Sequence, residues 1–298
     1  MMIFAGIDEA GLGPALGVLS VAGAALRLPP SPNEAWNFFG ADTKKIVGDS
    51  KAIFPAKGLA GLEVPILAAW QNWRSLPRDR DEFFTALGDA NFLRLAREIP
   101  WHAAAWQMPL AAKSASIAAL AARRTPAIEL LTLQARALTA AELNRQFAAA
   151  KKSAVEWRLV AALIQKFAAL DPSAATVIVV DKQGGRHFYA PLLAELFASP
   201  LIETVREGAA GSEYVVANCR VIFSPRADAN FFPVALASML AKYIRERCMS
   251  DLNAWFAARC ANLRPTAGYH GDAPRFYEAV KSVLDRERIP REKFWRSR

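Results

Sequence analysis

Four acidic residues stand where hydrophobic runs stop. Asp8 and Glu9 follow the apolar stretch MIFAGI (2–7), Asp181 closes TVIVVD (176–181), and Asp228 lies between a strand pattern and a long helix pattern. Carboxylates gathered at neighbouring strand ends cannot all stay ionised unaided, because like charges raise one another's pKa. Hard divalent cations relieve the repulsion through oxygen ligands. Two such ions about 3.5–4 Å apart activate water and stabilise the leaving oxygen in phosphodiester hydrolysis. The chemistry expected of Asp8, Glu9, Asp181 and Asp228 is therefore a divalent-metal centre that cuts a nucleic-acid strand. For Asp228 alone, helix capping is an equally good account. An adjacent acid pair directly after a buried strand is harder to explain without a partner.

The elements that position these acids can be read from periodicity. Residues 2–7 and the apolar run VLSVAGAALRL are joined by GLGPALG, which predicts a hairpin. Residues 29–48 read as a loop and 52–62 as a short helix. Segment 63–126 carries Trp70, Trp73, Trp101 and Trp106 among five prolines. It reads as a mostly helical insertion or subdomain, with helices near 79–98 and 112–123 and a strand at 101–109. Its tryptophans read as core rather than as base-stacking platforms. A strand is expected at 127–136. Thr139 and Glu142 form a capping-box pattern that opens a helix to about 170. A helix at 189–198, strands at 201–206 and 213–223, a long helix at 231–261 and a last helix at 272–286 complete the chain. A hairpin followed by strand, helix, strand, helix predicts an α/β fold: a mixed central sheet flanked by helices.

Composition narrows the classes. The chain has 298 residues, which favours one elaborated domain (1–298). It carries 37 Lys and Arg against 28 Asp and Glu, a net charge of +9. Such a surface favours polyanions through counterion release. Cys219, Cys248 and Cys260 are too far apart for a metal knuckle, as are His102, His187 and His270. With no secretory pattern and no unbroken apolar span, the expectation is a cytoplasmic monomer without membrane contact. The Gly11-x-Gly13-x-x-x-Gly17 spacing suggests a dinucleotide loop, but Pro14 and a following strand replace the helix that would hold a pyrophosphate. Asp8 and Glu9 would also repel that anion.

The ordered motifs carry a family resemblance. GIDEAGLGPALG (6–17) resembles the opening signature of ribonuclease HII, the type 2 ribonucleases H, commonly written GxDEAGRGxxxGP. Asp49-Ser50-Lys51 resembles that family's DSK loop, and Ala141-Glu142-Leu143-Asn144 the segment before its third acid. VIVVDK (177–182) resembles the strand bearing that acid. RADANFFPVALASMLAKYIRERCM (226–249) is similar to the fourth acid and its helix. Gly268-Tyr269 resembles the later GYG element. The set covers about 1–60, 127–182 and 213–272 in family order. It implies a ribonuclease H-like fold whose Asp8, Glu9, Asp181 and Asp228 bind Mg2+ or Mn2+. The implied activity is hydrolysis of RNA in an RNA–DNA hybrid, or of ribonucleotide-containing DNA, leaving a 3′-hydroxyl. Gly11 and Gly13 would present backbone groups to the ribose 2′-hydroxyl, with Leu12, Lys51, Lys182 and Tyr269 as further substrate-side residues. The chain departs from the pattern at Leu12, where the family has arginine, at Lys182, where glycine is usual, and at His270 in place of the last glycine of GYG. Two alternatives follow from these departures: a nucleic-acid-binding module that does not cut, and a nuclease with a non-hybrid substrate such as branched or single-stranded DNA.

Overall fold

The computed structural model describes residues 1–297. Its strands are Met2–Ala10 (β1), Leu19–Leu28 (β2), Glu129–Leu138 (β3), Thr176–Asp181 (β4), Glu203–Arg206 (β5), Ser212–Val216 (β6) and Cys219–Ser224 (β7). The helices are Thr43–Ile46 (α1), Ser50–Gln71 (α2), Arg80–Ala86 (α3), Ala90–Ala96 (α4), Ser114–Ala121 (α5), Ala140–Ala149 (α6), Lys152–Ala168 (α7), Ala190–Leu196 (α8), Ala227–Asn230 (α9), Phe232–Ala257 (α10), Ala273–Arg286 (α11) and Arg291–Phe294 (α12).

The strands form one mixed sheet in the order β3-β2-β1-β4-β7-β6-β5. The middle three, β1, β4 and β7, run parallel, with Ile7 opposite Val180 and Asp181 opposite Ser224. Antiparallel hairpins extend both flanks. The expected mixed sheet flanked by helices is thus present. The three strands associated with the acids end side by side on one edge. That is where ligand sites form in α/β sheets.

Residue alternation along the strands separates two cores. Phe4 and Val179 face α10, where they share a core with Ala22, Leu26, Leu236 and Leu240. Ala5, Ile7, Ile178 and Val180 face α7 and α8, against Val160, Leu163, Ile164 and Leu193. Gly6 lets α10 cross β1 in backbone contact, since a Cβ there would lie 2.2 Å from the Val234 nitrogen. Such an approach excludes every other residue type.

Several local expectations need correction. No strand forms at 101–109; a short 3-10 turn at Pro100–His102 stands there, in a segment with prolines at both ends. The helix expected at 79–98 breaks at Gly88, which takes a positive φ of 76°, and Asp89 caps the second half. The helix expected from 139 to 170 is two helices, broken where Ala150 turns extended. Thr139 caps the first by accepting from the Glu142 amide, whereas the Glu142 carboxylate pairs with Arg145 and Gln146 instead of closing the capping box. The 213–223 strand is a hairpin, and the short helix at 52–62 is the start of the longer α2. That helix is kinked at Gly58, with Pro55 beside the kink. It carries one apolar window long enough to cross a membrane by length and composition alone, and its half from Leu62 to Trp70 is packed into the core. Within 63–126, Trp70, Phe83, Phe84 and Trp106 belong to the same core as Phe4 and α10, as expected for packing tryptophans.

Candidate metal centre

At the end of β1, Asp8 turns toward α10 and Glu9 toward α7. Asp8 is buried, and its Oδ1 accepts from the Glu9 amide at 2.8 Å. The Ser238 side chain of α10 lies near Asp8 and opposes the rise of its pKa. Ser238 is itself 3.0 Å, hydroxyl to hydroxyl, from the buried Ser50 at the start of α2. The serine of the DSK segment thus contacts the α10 serine that neighbours the first acid. Asp49 caps α2, accepting from the Lys51 amide at 2.8 Å. Asp181 at the end of β4 accepts from the Ala227 amide at 2.8 Å, which ties the strand to the turn before α9.

Asp8, Glu9 and Asp181 each offer a carboxylate oxygen, and these atoms lie within 4.8 Å of one another. Burial, then the charges of Glu9 and Asp181, push the Asp8 carboxyl well above its usual range. Burial and the Asp181 charge raise Glu9. Burial, with the Asp228 charge, raises Asp181. The charge of Lys51, an exposed residue at the start of α2, opposes the shift on both Glu9 and Asp181. A desolvated, mutually repelling set of hard oxygen donors fits a divalent cation.

The other residues expected at the site are placed less uniformly. Asp228 sits on the one-turn α9, near enough to raise Asp181, but it lies outside the 4.8 Å group. Gly11 has a φ of 93°, and a Cβ on it would lie 2.5 Å from the Val18 carbonyl oxygen. Gly13 is exposed with open space around it. Leu12 packs beside the cluster of Leu19, Leu138 and Leu143. Lys182 does not turn into the acids. Its ammonium is held by His187 Nδ1 at 2.8 Å and by the carbonyls of Gly208 and Ala209 at 2.5 and 3.0 Å. Tyr269 is 51% exposed, with the Arg245 guanidinium 5.3 Å from its ring centre. Gly268 lies against the glycine loop, its carbonyl accepting from the amides of Ala15 and Leu16.

Two neighbours of the site, Glu156 and Arg296, lie outside the sequence motifs, and a third, Arg245, stands within the 226–249 motif. Glu156 on α7 is 4% exposed. Burial and the Glu9 charge push its carboxyl up to about 7. Its signal was visible, because it occupies the buried stripe of α7 with Val160, Leu163 and Phe167. Arg245 of α10 is buried and donates to the Ala267 carbonyl at 2.8 Å. Arg296 is buried and donates to the carbonyls of Gly11, Gly17 and Pro14, pinning the loop from below. Nothing local in the sequence marks a C-terminal arginine for that role.

No protein-family model and no curated protein matches the chain. Solved structures do resemble it. A ribonuclease HII from Archaeoglobus fulgidus, solved with PCNA, is 19% identical; the match covers 100% of this chain and 95% of that one, with a TM-score of 0.48. Bst-RNase HIII in complex with Mn2+ is 16% identical over 99% of this chain and 66% of that one, TM-score 0.45. The ribonuclease H2 of Pyrococcus horikoshii OT3 is 16% identical over 98% and 92%, TM-score 0.43.

Proposed function

We propose that the chain is a metal-dependent endonuclease that hydrolyses the RNA strand of RNA–DNA hybrids or ribonucleotides embedded in DNA. The observation that carries this reading is the meeting of Asp8, Glu9 and Asp181 within 4.8 Å at adjacent ends of parallel strands. Three desolvated carboxylates with raised pKa values are unstable together as anions. Asp8, Glu9 and Asp181 would hold Mg2+ or Mn2+, with Asp228 approaching from α9. The bound cation supplies Lewis acidity and lowers the pKa of water. The ordered sequence motifs point to the substrate. Lys51, exposed and close enough for its charge to act on the acids, would meet a phosphate. The glycine loop, held from below by Arg296, brings its backbone to the same edge of the sheet and suits contact with a ribose hydroxyl.

A second reading keeps the cleavage chemistry and changes the substrate. Leu12 favours it, because an apolar side chain replaces a guanidinium able to grip phosphate in two places. One experiment separates the readings. Purified protein with Mg2+ or Mn2+ is offered labelled hybrid, DNA duplex with a single ribonucleotide, duplex RNA, and branched and single-stranded DNA. Nicking of the first two, with 3′-hydroxyl ends, is the expected result. Cutting confined to ribonucleotide-free DNA would favour the second reading. Salt-dependent binding with every strand intact would leave only a binding module.

A further inference from the structure

Beside the acid cluster lies a cavity of about 620 Å³, lined by Leu12, Lys151, Lys152, Glu156, Gln183 and Arg186 among others. Its volume falls within the roughly 300–1,000 Å³ typical of small-molecule sites. Gln183 is 6% exposed, and neither its Oε1 nor its Nε2 has a hydrogen-bond partner; Glu156 Oε1 has none either. Buried polar atoms are almost always paired, and leaving one unpaired is costly. An amide and a carboxylate left open together beside one cavity mark a site that a ligand completes. The three cations lining the same cavity, Lys151, Lys152 and Arg186, suit an anion.

We propose that this cavity binds a single guanine nucleotide, with Glu156 and Gln183 reading the base and Lys151, Lys152 and Arg186 holding its phosphate. The base follows from hydrogen-bond chemistry. A carboxylate accepts two N–H groups, and guanine offers two adjacent ones, N1–H and N2–H, on its pairing edge. Its O6 then accepts from an amide N–H such as that of Gln183. Adenine and cytosine present one amino group beside a ring acceptor, and uracil one N–H between two carbonyls. Each of these sets a lone pair against the carboxylate. Leu12 supplies an apolar wall for the face of the ring, which gives the departure from arginine at this position a use.

The inference deepens the nuclease reading by making the cavity a base-specific subsite, since Leu12 belongs to the glycine loop and Gln183 follows Asp181 by two residues. Its test does not depend on cleavage. The full chain is titrated calorimetrically at pH 8, above the Glu156 pKa of about 7, with the 5′-monophosphates of guanosine, adenosine, cytidine and uridine in a chelating buffer, as wild type and as Asp8→Asn. GMP is expected to bind about tenfold or more tightly than the other three, the scale of one good bidentate contact, in both proteins. Glu156→Gln should reduce that preference to within about threefold, and Lys152→Ala should weaken all four nucleotides alike while leaving the preference intact. Equal binding of all four, no binding at all, or a preference that survives Glu156→Gln would overturn the proposal. Absent GMP binding alongside hybrid nicking would sink the subsite alone. GMP binding in a protein that nicks nothing would sink the nuclease reading and keep the subsite.

Discussion

Asp8 illustrates how a residue can oppose stability and serve chemistry. It is buried, it faces two other carboxylates, and the Glu9 backbone amide donates to it. Asp8→Asn keeps the shape and the oxygen that accepts from Glu9 but removes the charge. Metal-dependent cleavage should fall by about 10²-fold or more, as when one group stabilising transition-state charge is lost. Without metal at pH 8, the same variant should melt no lower than wild type, because a repelling charge has gone. Melting curves beside initial rates check this, and a variant that loses both activity and stability would show Asp8 to be a structural acid instead. Asp228 is the residue whose role the geometry narrows. It acts on Asp181 through charge from a separate one-turn helix and does not join the tight group.

The element that decides the site's shape is α10. It lies on β1 with no side chain between them at Gly6, and Ser238, which neighbours Asp8, follows Val234 by one turn. Gly6→Ala would place a methyl 2.2–2.7 Å from the backbone of Pro233 and Val234, so helix or strand must move. A loss of about 3 kcal/mol or more in denaturant unfolding is expected, at the upper end of overpacking costs. Because the same shift displaces Ser238, metal affinity should fall with it. A variant of unchanged stability would mean that α10 can slide along the sheet. The signature glycine of the first motif is thus a packing requirement between two elements, as well as part of a resemblance.

Across the whole molecule, pH couples the site to folding. The Glu156 carboxyl titrates near 4.5 when unfolded and at about 7 when folded. A raised acid pKa means that the folded state binds the extra proton. Its contribution is fully present below 4.5 and is lost as pH rises through about 7. Burial raises it most; Glu9 and Asp181 raise it further, and Arg186 and Lys152 lower it. His102 works the opposite way. Burial holds its pKa at about 3, so it destabilises the fold as pH drops below the ordinary histidine range. Comparison with Glu156→Gln cancels the histidine contribution. The difference in unfolding free energy between wild type and variant should change by on the order of 3 kcal/mol from pH 4 to pH 8. Mn2+ should raise the melting temperature more at pH 8 than at pH 5, since ionised acids bind it. A pH-independent difference between the two proteins would show that Glu156 is already ionised at neutral pH.

The acids and their strands were legible because both signals are local. A buried strand shows as a short apolar run, and an acid at its end breaks that run at a definite residue. Asp8, Glu9 and Asp181 needed no partner to be noticed, and the parallel sheet then brought their carboxylates together. The helix breaks at Gly88 and Ala150 were missed because apolar periodicity continues across them, and only backbone geometry shows the turn. What tertiary structure alone decided is which distant groups share space with those acids. Glu156 arrives on α7 from below the sheet, Arg296 returns from the far end of the chain to hold the glycine loop, and Lys182 is drawn away by His187 and two loop carbonyls. Each of these depends on a contact between separately folded segments. The energy of such a contact comes from burial and pairing that no stretch of sequence contains by itself.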